Sequence, residues 1–315
     1  MFDLVINVLA LALSLVMLAV ASQFTIKSIE KLIELTRLSE ASIGFALMSV
    51  MTSIPEIFVA ISSVLHGKPA FSVGDILGSN VFNIGMVVGI LATMGFLKKF
   101  SSEVLTELVD ILFLSSIIPL ILVVFGAAHP FVGLALICIF IFSVREMTKN
   151  RKQPAPLDDE ADGNKEAISK ASVIFKIIVG IAVVIVAAEL IIMSASNISI
   201  ILGAAPVLIG AKIIAIGTSM PELALDLTAV RRGRVNLALG DLIGSNLTNI
   251  TVILGTVLLL SPIELIDLSI LAEIVPFVLI TTLILWRYLT KGGVSQFGGL
   301  ALIIVYVIFQ AVITA

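Results

Sequence analysis

The sequence contains two related polar stretches, AIGTSMPE at residues 215–222 and SVMTSIPE at residues 49–56, each set in a long apolar run. Both end in threonine, serine, one apolar residue, proline and glutamate. Proline removes an amide donor and clashes with the preceding turn, so a helix should break at each motif. A glutamate beside such a break is costly in apolar surroundings unless something polar binds to it. The two stretches therefore predict a polar site built from two copies of one motif.

The composition around these stretches is that of an integral membrane protein. Of 315 residues, 59% are hydrophobic and 13% charged, and the mean hydropathy is +1.20, whereas soluble domains contain roughly 25% charged residues. Apolar runs long enough to cross a ~30 Å hydrocarbon core as helices lie near residues 4–25, 41–65, 72–96, 104–126, 129–146, 172–195, 205–230, 236–260, 266–287 and 296–314. We therefore predict an all-α membrane protein with ten transmembrane helices, of which helices 2 and 7 are broken. The single cysteine, Cys138, is expected to be a buried apolar residue of the fifth helix.

The chain is predicted to consist of two halves. The offset from Glu56 to Glu222 aligns nearly the whole chain without a gap, including FVGLAL at residues 131–136 with FGGLAL at residues 297–302. Because each half contains five spans, an odd number, the second half enters the membrane inverted, as in many transporters. The expected units are a first repeat at 1–149 with its motif region at 44–84, a linker at 150–168, and a second repeat at 169–315 with its motif region at 210–250.

Positive charge is distributed unevenly between the two predicted sides of the membrane. Of the 19 Lys and Arg residues, all but Lys68 and Lys212 fall on one side, and Lys212 lies within the seventh helix. Positively charged loops face the cytoplasm. We therefore expect both termini outside and the linker between helices five and six inside, in a multi-pass protein of a prokaryotic plasma membrane. The first apolar run is expected to be a retained helix rather than a cleaved signal peptide.

The donor atoms of the two motifs indicate which ion they would hold. The prolines leave the carbonyls of Met51 and Gly217 without an amide partner, and irregular backbone at membrane depth is tolerated only where it is buried in protein or lines a cavity. Two facing glutamates repel each other, which favours a bound cation or a proton. Oxygen ligands suit Ca²⁺ and disfavour transition metals. The side chains of the two motifs supply only oxygen as ligand atoms. These side chains are Thr52, Ser53, Glu56, Thr218, Ser219 and Glu222.

A second matched motif follows each broken helix, GDILGSNVFN at residues 74–83 and GDLIGSNLTN at residues 240–249. Its serine and its last asparagine are four residues apart and so share a helix face. These residues are Ser79, Asn83, Ser245 and Asn249. Its second glycine allows a neighbouring helix to approach closely, and its aspartate, Asp75 or Asp241, is expected to cap the start of a helix. The alternative is that both motifs are packing seams between kinked helices, but the inverted duplication of Pro-Glu argues against it.

These residues resemble the two alpha-repeats of the sodium/calcium exchanger family, within the cation/calcium antiporters. The similarity covers residues 44–84 and 210–250, and the ten-helix layout is similar to that of the prokaryotic members. The resemblance implies that Glu56 and Glu222 bind Ca²⁺ and share in Na⁺ binding, helped by Thr52 and Thr218. It implies that helices one and six slide across the core to alternate access. The further Na⁺ ligands that it implies are Ser53, Ser79, Ser219, Ser245, the carbonyls of Ser49 and Ala215, and the central Asn83 and Asn249.

The sequence also departs from the family pattern. Met51 stands where the motif has glycine, and Asn249 stands where many prokaryotic relatives have aspartate, which lowers the central charge. Lys212 lies one to two turns before the second motif, and its ammonium either extends outward along an external vestibule or repels or replaces one cation. Asp226 is expected to line the cytoplasmic exit, and Glu189 to form a hinge or surface contact. Neither is expected to be a ligand.

The function that we expect is secondary antiport, in which Na⁺ and Ca²⁺ compete for one site in the middle of the membrane. The expected protein is a monomer in the lipid bilayer, with no enzymatic activity, no cofactor and no nucleic-acid partner. The runner-up is H⁺/Ca²⁺ antiport, but proton-coupled relatives typically have Gly-Asn-x-x-Glu where this chain has Thr-Ser-x-Pro-Glu. A passive channel is a further alternative. An intramembrane aspartyl protease needs paired aspartates in one pocket, whereas Asp75 and Asp241 are expected at helix starts on opposite sides of the membrane.

Overall fold

The chain forms a bundle of apolar helices. The computed structural model describes residues 2–36, 49–98, 103–125, 130–149, 170–261 and 268–313. In the first half the helices are α1 (Phe2–Thr36), α2 (Ile54–Leu65), α3 (Pro69–Thr93), α4 (Glu103–Ser115 and Ile118–Phe125) and α5 (Pro130–Lys149). In the second half they are α6 (Lys170–Leu202), α7 (Pro206–Arg231), α8 (Val235–Leu260), α9 (Leu268–Leu289) and α10 (Gln296–Val312).

The lengths of these helices fit a membrane-spanning protein. Within the described ranges, 7 helices are long and apolar enough to cross a bilayer, and the shorter apolar helices α2, α5 and α10 complete the set. All regular structure in these ranges is helical, as a bilayer requires of a chain that does not close into a barrel. The prediction of an all-α membrane protein with ten helices is confirmed.

Two helices are interrupted at the motifs. Residues 49–52 are helical and precede α2, but Ser53 leaves the helical conformation with φ −79° and ψ 10°. In α7 the same departure occurs at Ser219, with φ −89° and ψ 5°. Pro55 and Pro221 then occupy the first turn of the following segment, where a missing amide hydrogen costs least. Helices 2 and 7 are therefore broken, as predicted.

The two halves repeat each other in local structure. The turns after α2 and α7 each contain a glycine in the left-handed region, Gly67 with φ 66° and Gly233 with φ 75°. Each glycine amide donates to the carbonyl three residues earlier, at 2.9 and 3.0 Å, which closes the helix end in the same way. The helices that follow both widen into a π-helical segment at matched positions, Phe82–Val88 and Asn249–Ile253. The internal repeat is thus a repeat of structure as well as of sequence.

Glycines let α3 and the first part of α7 touch through their backbones. A Cβ on Gly78 would lie 2.6 Å from the Cα of Ala211, and one on Gly74 would lie 2.9 Å from the carbonyl carbon of Val207. A Cβ on Gly210 would lie 2.9 Å from the amide nitrogen of Asp75. Real Cβ atoms do not come so close to a backbone, so only glycine fits these positions. This contact places the second motif of the first half beside the first motif of the second half.

The helices α1 and α6 form a long antiparallel pair against this core. Asn197, near the end of α6, donates to Asn7, near the start of α1, at 2.9 Å, and Gly180 packs against Thr25 closer to the opposite ends. The helices have 35 and 33 residues, longer than predicted, and at ~1.5 Å per residue each exceeds the ~30 Å hydrocarbon thickness. Their outer faces carry exposed apolar side chains, as lipid contact requires.

Two further predictions about the fold are not confirmed. The linker at 150–168 lies outside the described residues, and the proposed boundaries between the repeats remain a prediction. Cys138 on α5 is exposed, so its predicted burial is wrong. Lipid tails are as apolar as a protein core, and apolar sequence alone therefore does not distinguish a lipid-facing position from an interior one.

Candidate ion-binding site

The residues predicted to form the site all lie buried on the helical segment 49–52, at Ser53, or on α2, α3, α7 or α8. The exposed fraction of every one is at most 1%. They are Ser49, Thr52, Ser53, Glu56, Ser79, Asn83, Ala215, Thr218, Ser219, Glu222, Ser245 and Asn249. Both glutamates are therefore removed from solvent and lipid, among hydroxyl and amide side chains.

Two matched hydrogen bonds join the halves at the breaks. The hydroxyl of Thr218 donates to Asp75 at 2.9 Å, and the hydroxyl of Thr52 donates to Asp241 at 3.0 Å. Each threonine belongs to the first motif of one half and each aspartate to the second motif of the other half. Ser79 adds to the first pair, because its hydroxyl lies 3.4 Å from Asp75 and 3.3 Å from that of Thr218. The two halves therefore build one continuous polar centre.

The aspartates do not cap helices, and that prediction is wrong. The first helical residue of α3 is Pro69 and that of α8 is Val235, so Asp75 and Asp241 lie in the second turn of their helices. Their exposed fractions are 0% and 2%. The sequence did contain a signal, because Asp75 precedes Ser79 by four residues and so shares a helix face with it. The two aspartates are site residues that the sequence analysis missed.

The two glutamates belong to one electrostatic cluster. Ser219 of the second half donates to Glu56 of the first half at 3.3 Å. The carboxylate of Glu222 is close enough to that of Glu56 for the two to repel each other. Among the described residues, one oxygen of each glutamate is buried without a hydrogen-bond partner, as is one oxygen each of Asp75 and Asp241. These oxygens are directed into the protein and are available to a ligand.

Backbone carbonyls near the breaks add to the oxygen atoms that could bind a cation. The carbonyl of Ser49 accepts from the hydroxyls of Thr52 at 3.3 Å and Ser53 at 3.0 Å. In the other half, the carbonyl of Ala215 accepts from Thr218 at 3.3 Å and Ser79 at 3.5 Å. The hydroxyls can rotate so that their oxygens face a cation, because a hydroxyl oxygen keeps lone pairs while it donates.

Asparagines occupy the interface between α3 and α8. Asn249 donates to the side-chain oxygen of Asn80 at 3.1 Å, and Asn80 donates to the carbonyl of Asn246 at 3.1 Å. Within the described residues, both amide atoms of Asn83 and the side-chain oxygen of Asn249 have no hydrogen-bond partner. Ser245 is buried beside them, but the bond that its hydroxyl makes is to the carbonyl of Leu242 in its own helix, at 3.3 Å.

The cluster is chemically suited to a hard cation. No basic side chain of the described ranges forms an ion pair with its carboxylates, and buried charges are normally paired or coordinated to a metal. Three or more His, Cys, Asp or Glu side chains do not converge on one point within those ranges. A cation held here would therefore be bound by carboxylates in pairs, with hydroxyl and carbonyl oxygens supplying the remaining ligands, as Ca²⁺ accepts.

Lys212 lies near this cluster in sequence but not in contact. Its ammonium donates to the carbonyl of Gln310, near the end of α10, at 2.9 Å. A cation at the carboxyl end of a helix interacts favourably with the unpaired carbonyls there. The structure therefore favours the alternative in which the Lys212 side chain extends outward over the one in which its ammonium repels or replaces a cation.

Comparison with known proteins identifies the family. The family model described as "Sodium/calcium exchanger protein" matches residues 6–148 and again residues 172–315, which together make up most of the chain. The chain belongs to the sodium/calcium exchanger family. This family consists of transporters, which argues against an intramembrane aspartyl protease. The earlier reason for setting the protease aside does not hold, because Asp75 and Asp241 do not lie at helix starts.

Individual members of the sodium/calcium exchanger family match along nearly their whole length. The sodium/calcium exchanger MaX1 of Methanosarcina acetivorans is 27% identical, over 98% of each chain. An uncharacterised membrane protein of Methanocaldococcus jannaschii is 27% identical, over 94% of each chain. A structure of the sodium-calcium exchanger NCX_Mj, soaked with Na⁺ and Sr²⁺, matches with a TM-score of 0.65 and 27% identity, over 99% of this chain and 100% of that chain. The ten-helix prokaryotic layout expected from the sequence is therefore that of solved relatives.

Proposed function

We propose that this protein is a secondary antiporter that exchanges Na⁺ for Ca²⁺ at one site in the middle of the membrane. The observation that carries the proposal is the pair of acidic helix breaks, one from each half, buried together with unpartnered carboxylate oxygens. A charge at that depth costs about 2.5–3.5 kcal/mol on insertion scales. A cation that binds between the breaks offsets this cost.

In the proposed site, Glu56 and Glu222 hold Ca²⁺. The repulsion between their carboxylates favours a divalent ion, because one Ca²⁺ neutralises both. Thr52 and Thr218 are anchored to the aspartates of the opposite half, which positions the backbone carbonyls of the breaks as further ligands. The aspartates thereby orient the ligands, in the way that outer residues commonly support a metal site.

Na⁺ is proposed to bind to the same carboxylates with different neutral partners. The candidate Na⁺ ligands are the hydroxyls and carbonyls around the breaks, together with the central amides. Their burial and contacts support the proposal. They are Ser53, Ser79, Ser219, Ser245, Asn83 and Asn249, with the carbonyls of Ser49 and Ala215. Because the two ions share the glutamates, binding of Na⁺ displaces Ca²⁺, and this competition couples the two fluxes.

Alternating access is proposed to involve α1 and α6. Leu15 of α1 packs against Gly217, one turn before Glu222, and α6 lies along α2. Movement of this pair would expose the site to one side of the membrane and cover it from the other. Unneutralised carboxylates oppose the passage of the site through apolar surroundings, so the movement is expected only with ions bound.

The remaining parts of the proposal concern the cell. We propose that the protein works as a monomer in a prokaryotic plasma membrane, with both termini outside and the linker between α5 and α6 in the cytoplasm. The asymmetric placement of Lys and Arg supports this orientation. Exchange involves no bond cleavage, and no enzymatic activity or cofactor forms part of the proposal.

The test is ion flux in proteoliposomes that contain the purified protein. Vesicles loaded with Na⁺ and diluted into Na⁺-free medium should take up ⁴⁵Ca²⁺, and equal Na⁺ on both sides should stop the uptake. Uptake that ignores Na⁺ and follows an imposed pH gradient would instead support H⁺/Ca²⁺ antiport. Flux that needs no counter-ion and does not saturate would indicate a channel.

A further inference from the structure

Asp226 is a buried acid that the proposed exchange does not use. It lies one turn beyond Glu222 in the second part of α7, and its exposed fraction is 0%. Among the described residues, neither of its carboxylate oxygens has a hydrogen-bond partner, and no Lys or Arg forms an ion pair with it. A carboxylate in such surroundings is expected to bind a cation or a proton, because an isolated buried charge is costly.

The neighbour of Asp226 across the helix interface is Asp241. The second part of α7 packs against α8, and the negative charge of Asp241 acts on the carboxylate of Asp226 across this interface. One oxygen of Asp241 accepts the bond from Thr52 at 3.0 Å, but the other is buried and unpartnered within the described ranges. Three carboxylate oxygens without donors therefore lie at this interface. Two adjacent acids suit a divalent ion better than a monovalent one, because a single ion neutralises both.

The pair is present in only one half of the repeat. The residue that the internal repeat aligns with Asp226 is Ala60, which is buried on α2. The glutamates of the breaks and the aspartates of α3 and α8 all have acidic counterparts, whereas Asp226 has none. It also lies between Glu222 and the turn that joins α7 to α8. The extra negative charge is therefore on one side of the central site.

We propose that Asp226 and Asp241 form an additional Ca²⁺-binding station between the central glutamates and the side of the membrane that carries the α7–α8 turn. The station binds Ca²⁺ that enters from this side or leaves toward it, and it raises the local Ca²⁺ concentration beside Glu222. The internal repeat places Ala60 at the position equivalent to Asp226, so the station affects the two directions of transport differently. Its role in transport rests on the proposed function, whereas Ca²⁺ binding to it does not.

Equilibrium binding tests the station by itself. In purified protein with Glu56→Gln and Glu222→Gln, ⁴⁵Ca²⁺ should still bind to one saturable site of lower affinity than that of the unmodified protein. Addition of Asp226→Asn should remove this binding. Addition of Glu107→Gln, which removes an exposed carboxylate of α4, should preserve it. Absence of the weaker site in the double variant, or its persistence after Asp226→Asn, would overturn the proposal.

Transport from the two faces tests the asymmetry. Sealed right-side-out and inverted membrane vesicles present opposite faces to added Ca²⁺. Asp226→Asn should raise the half-saturating Ca²⁺ concentration about tenfold, equivalent to about 1.4 kcal/mol, at the face with the α7–α8 turn and leave the other face unchanged. An equal change at both faces, or no change at either, contradicts the proposal. Absence of Na⁺-driven Ca²⁺ flux in the unmodified protein would refute the proposed function, while the binding test would still decide on the station.

A second pair of variants covers the case in which Asp226→Asn does not fold, as judged by gel filtration and thermal unfolding. Asp226→Ser removes the charge with a smaller side chain and should give the same binding and transport results. Ala60→Asp adds the missing acid to the first half and should lower the half-saturating Ca²⁺ concentration at the opposite face. Failure of Ala60→Asp to change that face in a folded protein counts against a one-sided station.

Discussion

Thr218 on α7 donates a hydrogen bond of 2.9 Å to Asp75 on α3. This bond connects the first motif of one half to the second motif of the other half, and the repeat produces its counterpart between Thr52 and Asp241. A hydrogen bond to a charged group contributes about 1.5–3 kcal/mol. The two bonds therefore help to hold the helix breaks in the position where they face each other.

Thr218→Val should weaken Ca²⁺ binding without removing a carboxylate. The substitution keeps the shape of the side chain but removes the donor to Asp75, and a loss of about 1.4 kcal/mol raises Kd about tenfold. The melting temperature in detergent should also fall. Thr228→Val is the matched control, because Thr228 lies on the exposed face of the same helix and bonds only within it. Equal effects of the two variants on Kd would contradict the role of the bond.

Gly78→Ala should separate α3 from α7. The added Cβ meets backbone atoms of Ala211, which cannot rotate away as a side chain can. Overpacking of this kind costs about 1–3 kcal/mol, and exchange should be lost because the two motifs are displaced from each other. Gly85→Ala is a graded comparison, because the nearest atom to its added Cβ would be Cβ of Tyr306 at 2.9 Å, farther than the 2.6 Å between a Cβ on Gly78 and Cα of Ala211. Thermal unfolding and flux should show the larger loss for Gly78→Ala, and the reverse order would contradict the contact.

Gly217→Ala should hinder the movement of α1 past the break in α7, and a second substitution, Leu15→Ala, should relieve this effect. The new Cβ would lie 2.9 Å from Cγ of Leu15, so the Leu15 side chain must rotate or α1 must shift away from the break in α7. We expect a slower maximal rate of exchange. In the double variant Gly217→Ala with Leu15→Ala the space is restored, and the rate should recover toward that of Leu15→Ala alone. If the double variant is instead as slow as the two single effects multiplied together, the clash is not the cause.

Lys212→Met should leave the number of bound and transported ions unchanged. The ammonium bonds to the carbonyl of Gln310 rather than to the acidic cluster. Its removal should therefore affect stability by about 1.5 kcal/mol, the lower end of the range for a bond to a charged group, because the side chain is partly exposed. Lys68→Met, at an exposed turn, is the control for loss of a positive charge. The measurement is the Na⁺:Ca²⁺ ratio from paired isotope fluxes. A changed ratio in Lys212→Met alone would mean that the ammonium occupies a cation position.

The features predicted correctly from the sequence are those with a strong local cause. Pro55 and Pro221 break their helices because proline lacks an amide hydrogen and clashes with the preceding turn. The all-helical fold follows because an apolar run in a bilayer must satisfy its backbone hydrogen bonds internally. The twelve residues predicted to form the site are all buried, because polar groups are costly where they face lipid, but their role as ion ligands stays a prediction. The offset between the halves then predicts which residues are equivalent.

The features that were missed depend on contacts between segments that are far apart in the chain. Asp75 was assigned to a helix start because aspartate is a common cap, but α3 already begins at Pro69, and the partner of Asp75 is a threonine of the other half. The length of α1 was underestimated because its charged end, with Lys27 and Lys31, remains helical beyond the apolar run. The length of α6 was underestimated because the polar stretch that begins at Ser196 continues the helix to Leu202. The unpartnered state of Asp226 was visible only once the surrounding helices were placed.

The most direct test of one shared site is the stoichiometry of Ca²⁺ binding in Glu56→Gln, Glu222→Gln and the double variant. Tight ⁴⁵Ca²⁺ binding should disappear completely in either single variant, and the double variant should lose no more, because both carboxylates hold the same ion. Glu107→Gln should bind as the unmodified protein does. If each single variant instead retains half of the tightly bound Ca²⁺ and only the double variant loses all of it, the two acidic breaks are separate sites.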